Sequence, residues 1–109
     1  MIGGFIIQGD SPKTVLIRAG GPSLAAYGVP GVLANPMLEL HRSSDGAIIA
    51  SNDNWGDAAN AAAIQATGLA PVSPLESAIL ITLPPGAYTA IVTGANGGTG
   101  VGIIEVFAQ

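Results

Sequence analysis

The chain has 109 residues, a formal net charge of −4 and only 9% charged side chains, where an ordinary soluble domain has about 25%. One domain fits that length, and its core forms without disulfides because the chain contains no cysteine. Nucleic acid is excluded as a partner, since Lys13, Arg18 and Arg42 are the only basic residues and cannot neutralise a row of phosphates. No apolar run approaches the roughly 18 residues of a membrane-spanning helix.

Short β-rich segments follow one another from the first residues, separated by Gly, Pro, Asn and Asp. Met1 to Phe5 has neither the basic start nor the long apolar stretch of a signal peptide, so the chain reads as a mature protein or a module cut from a longer one. Gly4–Gln8 is the first expected strand, ending at the turn cluster Gly9-Asp10-Ser11-Pro12. Lys13–Ala19 is the second, with Thr14, Leu16 and Arg18 on one face and Val15, Ile17 and Ala19 on the other. Gly20-Gly21-Pro22 stops it. Ser23–Gly28 reads as one helical turn with Ser23 as N-cap and Gly28 at its end. A loop bracketed by Pro30 and Pro36 follows.

Met37–Arg42 alternates cleanly, Leu38 and Leu40 inward, Glu39 and His41 outward. Ser43-Ser44-Asp45-Gly46 is a hairpin turn, because Asp-Gly tolerates positive φ, and Ala47–Ala50 is its partner strand. Ser51–Asp57 is a polar loop around the single Trp. Ala58–Thr67 has high helix propensity and stops at Gly68. Ser77–Leu83, Ala87–Thr93 and Val101–Phe107 are the remaining strands, joined by Pro84-Pro85-Gly86 and by the hairpin connection Gly94–Gly100. Seven strands in hairpin-like order predict an all-β, antiparallel two-sheet sandwich, jelly-roll-like, with one short helix.

Several strands are apolar on both faces: Phe5-Ile6-Ile7, Ile79-Leu80-Ile81 and Ile103-Ile104. A two-layer sandwich in water shows polar residues on its outer faces. Either the chain's own helix and loops cover the excess, or other copies do. The second possibility makes Phe5, Ile6, Ile7, Ile103 and Ile104 candidate self-association residues.

Two stretches carry a family resemblance. The first is Asn35-Pro36-Met37-Leu38-Glu39-Leu40, followed by Asp45-Gly46 and Ala50-Ser51-Asn52-Asp53-Asn54-Trp55. The second is Leu83 to Val92, with Gly86 and Tyr88 in it, then Gly100 and Glu105-Val106. Together they resemble the pre-peptidase C-terminal β-sandwich module, with its "DP-x-L-x-L" strand, "DG" turn, "A-x-ND" loop and later "L-x-x-G-x-Y" strand. Asn35 stands where that family carries Asp. Lys13–Leu24 also resembles the "KTVLIRAxGPSL" mark of a module recurring in large secreted proteins of environmental bacteria. These resemblances imply a secreted, non-catalytic sandwich.

Chemistry-bearing groups are few. Asp45, Asn52, Asp53, Asn54 and Asp57 are hard oxygen donors of the kind Ca²⁺ prefers, though without EF-hand spacing. The commoner use of such side chains is to bond nearby backbone and hold a turn. Trp55 suits a pyranose face as a sugar-binding ring; its commoner use is to plug the end of the sandwich. Gly21-Pro22-Ser23-Leu24-Ala25 is superficially like a nucleophile elbow, but the single His41 has no reason to lie near Ser23. Gly94–Gly100 lacks the Lys and helix start of a phosphate loop. No nucleophile, base and orienting group can be assembled, so an enzyme is not expected. The expectation is an extracellular or cell-surface structural module that self-associates as a homo-oligomer or polymer, the subunit of a filament or surface assembly. The runner-up is a module binding polysaccharide through Trp55, with Ca²⁺ at the Asn/Asp loop.

Overall fold

A computed structural model describes residues 1–109. The expected seven strands form, and the β-branched runs set their positions. They are β1 (Ile2–Ile7), β2 (Lys13–Gly20), β3 (Pro36–Arg42), β4 (Ile48–Asn52), β5 (Ser77–Leu83), β6 (Gly86–Gly94) and β7 (Ile103–Ala108). Boundaries move by one or two residues: β1 starts at Ile2, β3 takes in Pro36, β4 runs on to Asn52, and β7 begins at Ile103. The helix α1 is Ala61–Ala66, shorter than Ala58–Thr67, and Gly68 ends the segment in the left-handed region at φ 75°.

The strands pack as a two-sheet sandwich of orders β1-β6-β3-β4 and β5-β2-β7, with every ladder antiparallel. Val32 and Val101 make one isolated parallel bridge. The hairpin-like order is corrected here. Only β3 and β4 are joined as a hairpin; every other connection carries the chain from one sheet to the other. Pro84 and Pro85 connect β5 to β6, which lie in opposite layers. Gly94–Gly100 likewise crosses between layers, with a short 3-10 turn at Ala95–Gly97.

Strand parity then sorts the side chains. Val15, Ile17, Ala19, Leu38, Leu40, Ala90 and Val92 meet between the sheets, with Tyr88 stacked on Phe5 at 5.6 Å between ring centres. The opposite face of β5-β2-β7 is also apolar, and the chain covers it itself. Leu16 and Ala78 pack under Ile64 of α1, with Trp55, Leu69, Leu80 and Phe107 around them. That cover accounts for the two-faced character of Ile79-Leu80-Ile81. No helix is long and apolar enough to cross a membrane.

Candidate functional site

The Gly-Pro-Ser segment after β2 forms a 3-10 helix over Pro22–Tyr27, closed by Gly28 at φ 78°. Gly21, not Ser23, is its N-cap residue, and Ser23 makes no capping bond. Its hydroxyl donates instead to Glu76 Oε2 at 2.6 Å, which also accepts the N–H groups of Gly21 (2.8 Å) and Ser23 (3.0 Å). Ser73 N–H reaches Oε1 at 3.4 Å. Glu76 is only 1% exposed. Burial raises its pKa, but the Ser23 hydroxyl and the converging N–H groups outweigh burial and hold the carboxyl below its ordinary value. Gly21 is required there: a Cβ would stand 2.1 Å from the Leu33 carbonyl oxygen. The sequence reading missed Glu76. Its one signal is a lone acid beside the apolar run Ser77–Leu83.

Ser23 and His41 lie apart, as the sequence suggested. The His41 ring sits beside Glu39 Oε1 and the Gly46 carbonyl in the β3–β4 hairpin.

The Asn/Asp set splits. Asp45 sits at the hairpin tip, bidentate to Arg42 at 2.8 and 3.1 Å, while the others lie at the far end of β4. Arg42 and the Ala47 N–H push the Asp45 pKa down to about 2. Asn52 is engaged at both ends: its amide donates to the Asn54 carbonyl, and its Oδ1 accepts from the Ala78 N–H. The Asp53 carbonyl accepts from the Ser77 hydroxyl. Asn35, with its amide oriented to satisfy both partners, donates to Asp53 Oδ1 and to the Leu75 carbonyl at 3.0 and 3.1 Å. An Asp at position 35 would set a carboxylate against those two oxygens. No three His, Cys, Asp or Glu side chains group as a metal site. Asp57 ends a short 3-10 turn with Trp55, whose ring is half-buried against the cluster under α1. Asn54 Oδ1 and Trp55 Nε1 are buried without hydrogen-bond partners. An open groove of about 450 Å³ runs beside this loop, lined by Asn52, Asp53, Asp57 and Asn60 together with alanines and the Ile79-Leu80-Ile81 run, but not by Trp55.

The five apolar candidates also divide by parity. Phe5 and Ile7 point into the core and Ile104 packs against it, whereas Ile6 is 66% and Ile103 38% exposed. Ile2, 70% exposed, joins Ile6 on the outer face of β1.

The sheet edges differ in how their backbone groups are met. In β5, Ala78 and Leu80 turn their polar groups away from β2. Asn52 accepts the Ala78 N–H and Asn60 donates to the Leu80 carbonyl, so side chains meet two of the backbone groups along that edge. Met1 and Val92 exchange both hydrogen bonds, so Gly3, Phe5 and Ile7 continue as bonded pairs with β6. Ile2, Gly4 and Ile6 therefore aim their N–H and C=O groups outward. On β7, Gln109 N–H bonds the Thr14 carbonyl, which leaves the N–H and C=O groups of Ile104, Val106 and Ala108 pointing away from β2. A groove of about 680 Å³ lies along these two edges, lined by Phe5, Ile7, Val15, Val106 and Ala108 among others. β1 itself contains no charged side chain, Pro or bulge, and Pro12 and Lys13 line the groove beside it.

No protein-family profile and no curated protein matches the chain. A solved structure does. It is the pre-peptidase C-terminal domain of a collagenase from Bacillus anthracis, similar with a TM-score of 0.56 and 17% identity, over 97% of this chain and 74% of that one. The likeness is one of fold, and it is the fold expected from the strand and turn motifs.

Proposed function

We propose that this chain is a non-catalytic, extracellular β-sandwich module that associates with further copies of itself, the subunit of a filament or surface assembly. One observation carries the reading: side chains meet two backbone groups on the β5 edge, while β1 presents outward backbone groups, in a strand without charged side chains or Pro, flanked by exposed Ile2 and Ile6. Exposed edges of this kind pair with other strands. Extracellular placement is supported by the similarity in fold to a domain of a bacterial collagenase. Sedimentation velocity from micromolar to millimolar concentration tests it, with electron microscopy of the concentrated sample. A mass that grows with concentration is expected; a monomer throughout overturns the reading.

A second reading, polysaccharide binding with Ca²⁺, is supported by the open groove of mixed polar and apolar lining beside the Asn/Asp loop. Retention on insoluble polysaccharides, with and without Ca²⁺, tests it. Retention that Trp55→Ala and Asp57→Ala abolish would favour it over the first.

A further inference from the structure

We infer that two copies join β1 against β1, antiparallel, about a two-fold axis through Gly4. The inference rests on the self-association reading and supplies its geometry. The outward-facing residues of β1 are Ile2, Gly4 and Ile6, spaced evenly about Gly4. An antiparallel partner in the same phase sets Gly4 opposite Gly4 of the second copy, and Ile2 opposite Ile6 on either side. Each of the three pairs is of the hydrogen-bonded kind, so each exchanges two N–H···O=C bonds and no outward group of β1 is left over. A shift by one residue would set outward groups against groups already bonded to β6. The side chains agree with the backbone. Ile2 and Ile6 lie on one face and meet Ile6 and Ile2 of the second copy, the cross-strand contact that stabilises sheets. No charged side chain lies between Met1 and Gln8 to oppose it. The β1-β6-β3-β4 sheet would thus continue through the contact into its copy.

The size of the contact fixes its strength. Six residues at about 3.3 Å each give an edge about 20 Å long. The shortest dimension of the molecule is 23 Å. Their product is about 460 Å² of face per copy, below the roughly 800 Å² per partner of a stable complex. The dimer is therefore weak and forms with rising concentration. Because like meets like, it closes on itself, and any longer assembly needs a second, different face.

The absence of cysteine permits a direct test by site-specific crosslinking. Opposed residues in a hydrogen-bonded pair have Cα atoms about 5.5 Å apart, within disulfide reach. A Cβ on Gly4 would meet nothing closer than the Tyr88 carbonyl at 3.8 Å, so Gly4→Cys fits the fold. Under oxidised glutathione, Gly4→Cys is expected to run at double mass on a non-reducing gel. Ile2→Cys and Ile6→Cys should each stay largely single and crosslink when mixed. Thermal melts like that of the unmodified chain show that each variant folds. Ile6→Lys should lower the sedimenting mass. Two results are distinguishable failures. An unmodified chain that stays monomeric at millimolar concentration removes both this inference and the self-association reading. An unmodified chain that associates, while Gly4→Cys stays uncrosslinked or Ile6→Lys leaves the mass unchanged, removes the β1 pairing alone.

Discussion

Replacing Glu76 by Ala should cost about 3 kcal/mol of folding stability. The magnitude follows from what the carboxylate holds. Removing it strands the N–H groups of Gly21 and Ser23, at 2.8 and 3.0 Å from Oε2, and each buried orphan costs about 1–3 kcal/mol. The Ser23 hydroxyl can rotate to another partner and adds little. Glu76→Gln keeps an acceptor oxygen in place and loses only charge assistance, about 1–2 kcal/mol. Urea unfolding followed by tryptophan fluorescence reads both. With an m-value of about 1.5 kcal/mol/M, the Ala variant should unfold about 2 M earlier at unchanged m. The pH dependence supplies an independent check. The folded carboxyl titrates below its ordinary 4.5, so its stabilisation is complete above about pH 5 and is lost as pH falls through the folded value. The gap between the native chain and Glu76→Gln should narrow from pH 6 to pH 3. A Glu76→Ala midpoint within 0.3 M of the native one, at about 0.5 kcal/mol, would refute the reasoning, as would a gap that ignores pH.

Other outcomes follow from the packing. Leu38→Ala, in the fully buried centre between the sheets, should lose about 2–5 kcal/mol, while Ile6→Ala on the outer face should change stability by less than about 0.5; chemical unfolding of the two compares them. Gly21→Ala forces a Cβ into the Leu33 carbonyl and should abolish a cooperative thermal transition or lower its midpoint by more than about 10 °C. Asn60→Ala frees the Leu80 carbonyl on the β5 edge; sedimentation of the folded variant should show association that Ile6→Lys does not reverse.

The strands were legible because β-branched runs between Gly and Pro are local signals. Their order was not. Whether a chain leaving β5 turns back beside it or crosses to the other sheet depends on which layer has room for Tyr88 and Val92, a tertiary matter. Ser23 shows the same limit more sharply. Its neighbours Pro22 and Gly28 mark a helical turn, but the partner of its hydroxyl lies 53 residues away. Asn52 reads as an oxygen donor in an Asn/Asp cluster until β5 arrives beside it with an unmet N–H at Ala78. The greasy run Phe5-Ile6-Ile7 reads as one feature, yet strand parity sends its middle residue outward and its flanks inward. Parity was available from the sequence; which parity faced the core was not.

The pairing of the first strand with the sixth also bears on synthesis. β1 emerges with its β6 partner still about 80 residues from being made, a wait of several seconds at about 5–20 residues per second. During that interval a neighbouring nascent chain offers the same hydrogen bonds that β6 later takes. Gly3 and Gly4 weaken β1 as a strand in isolation.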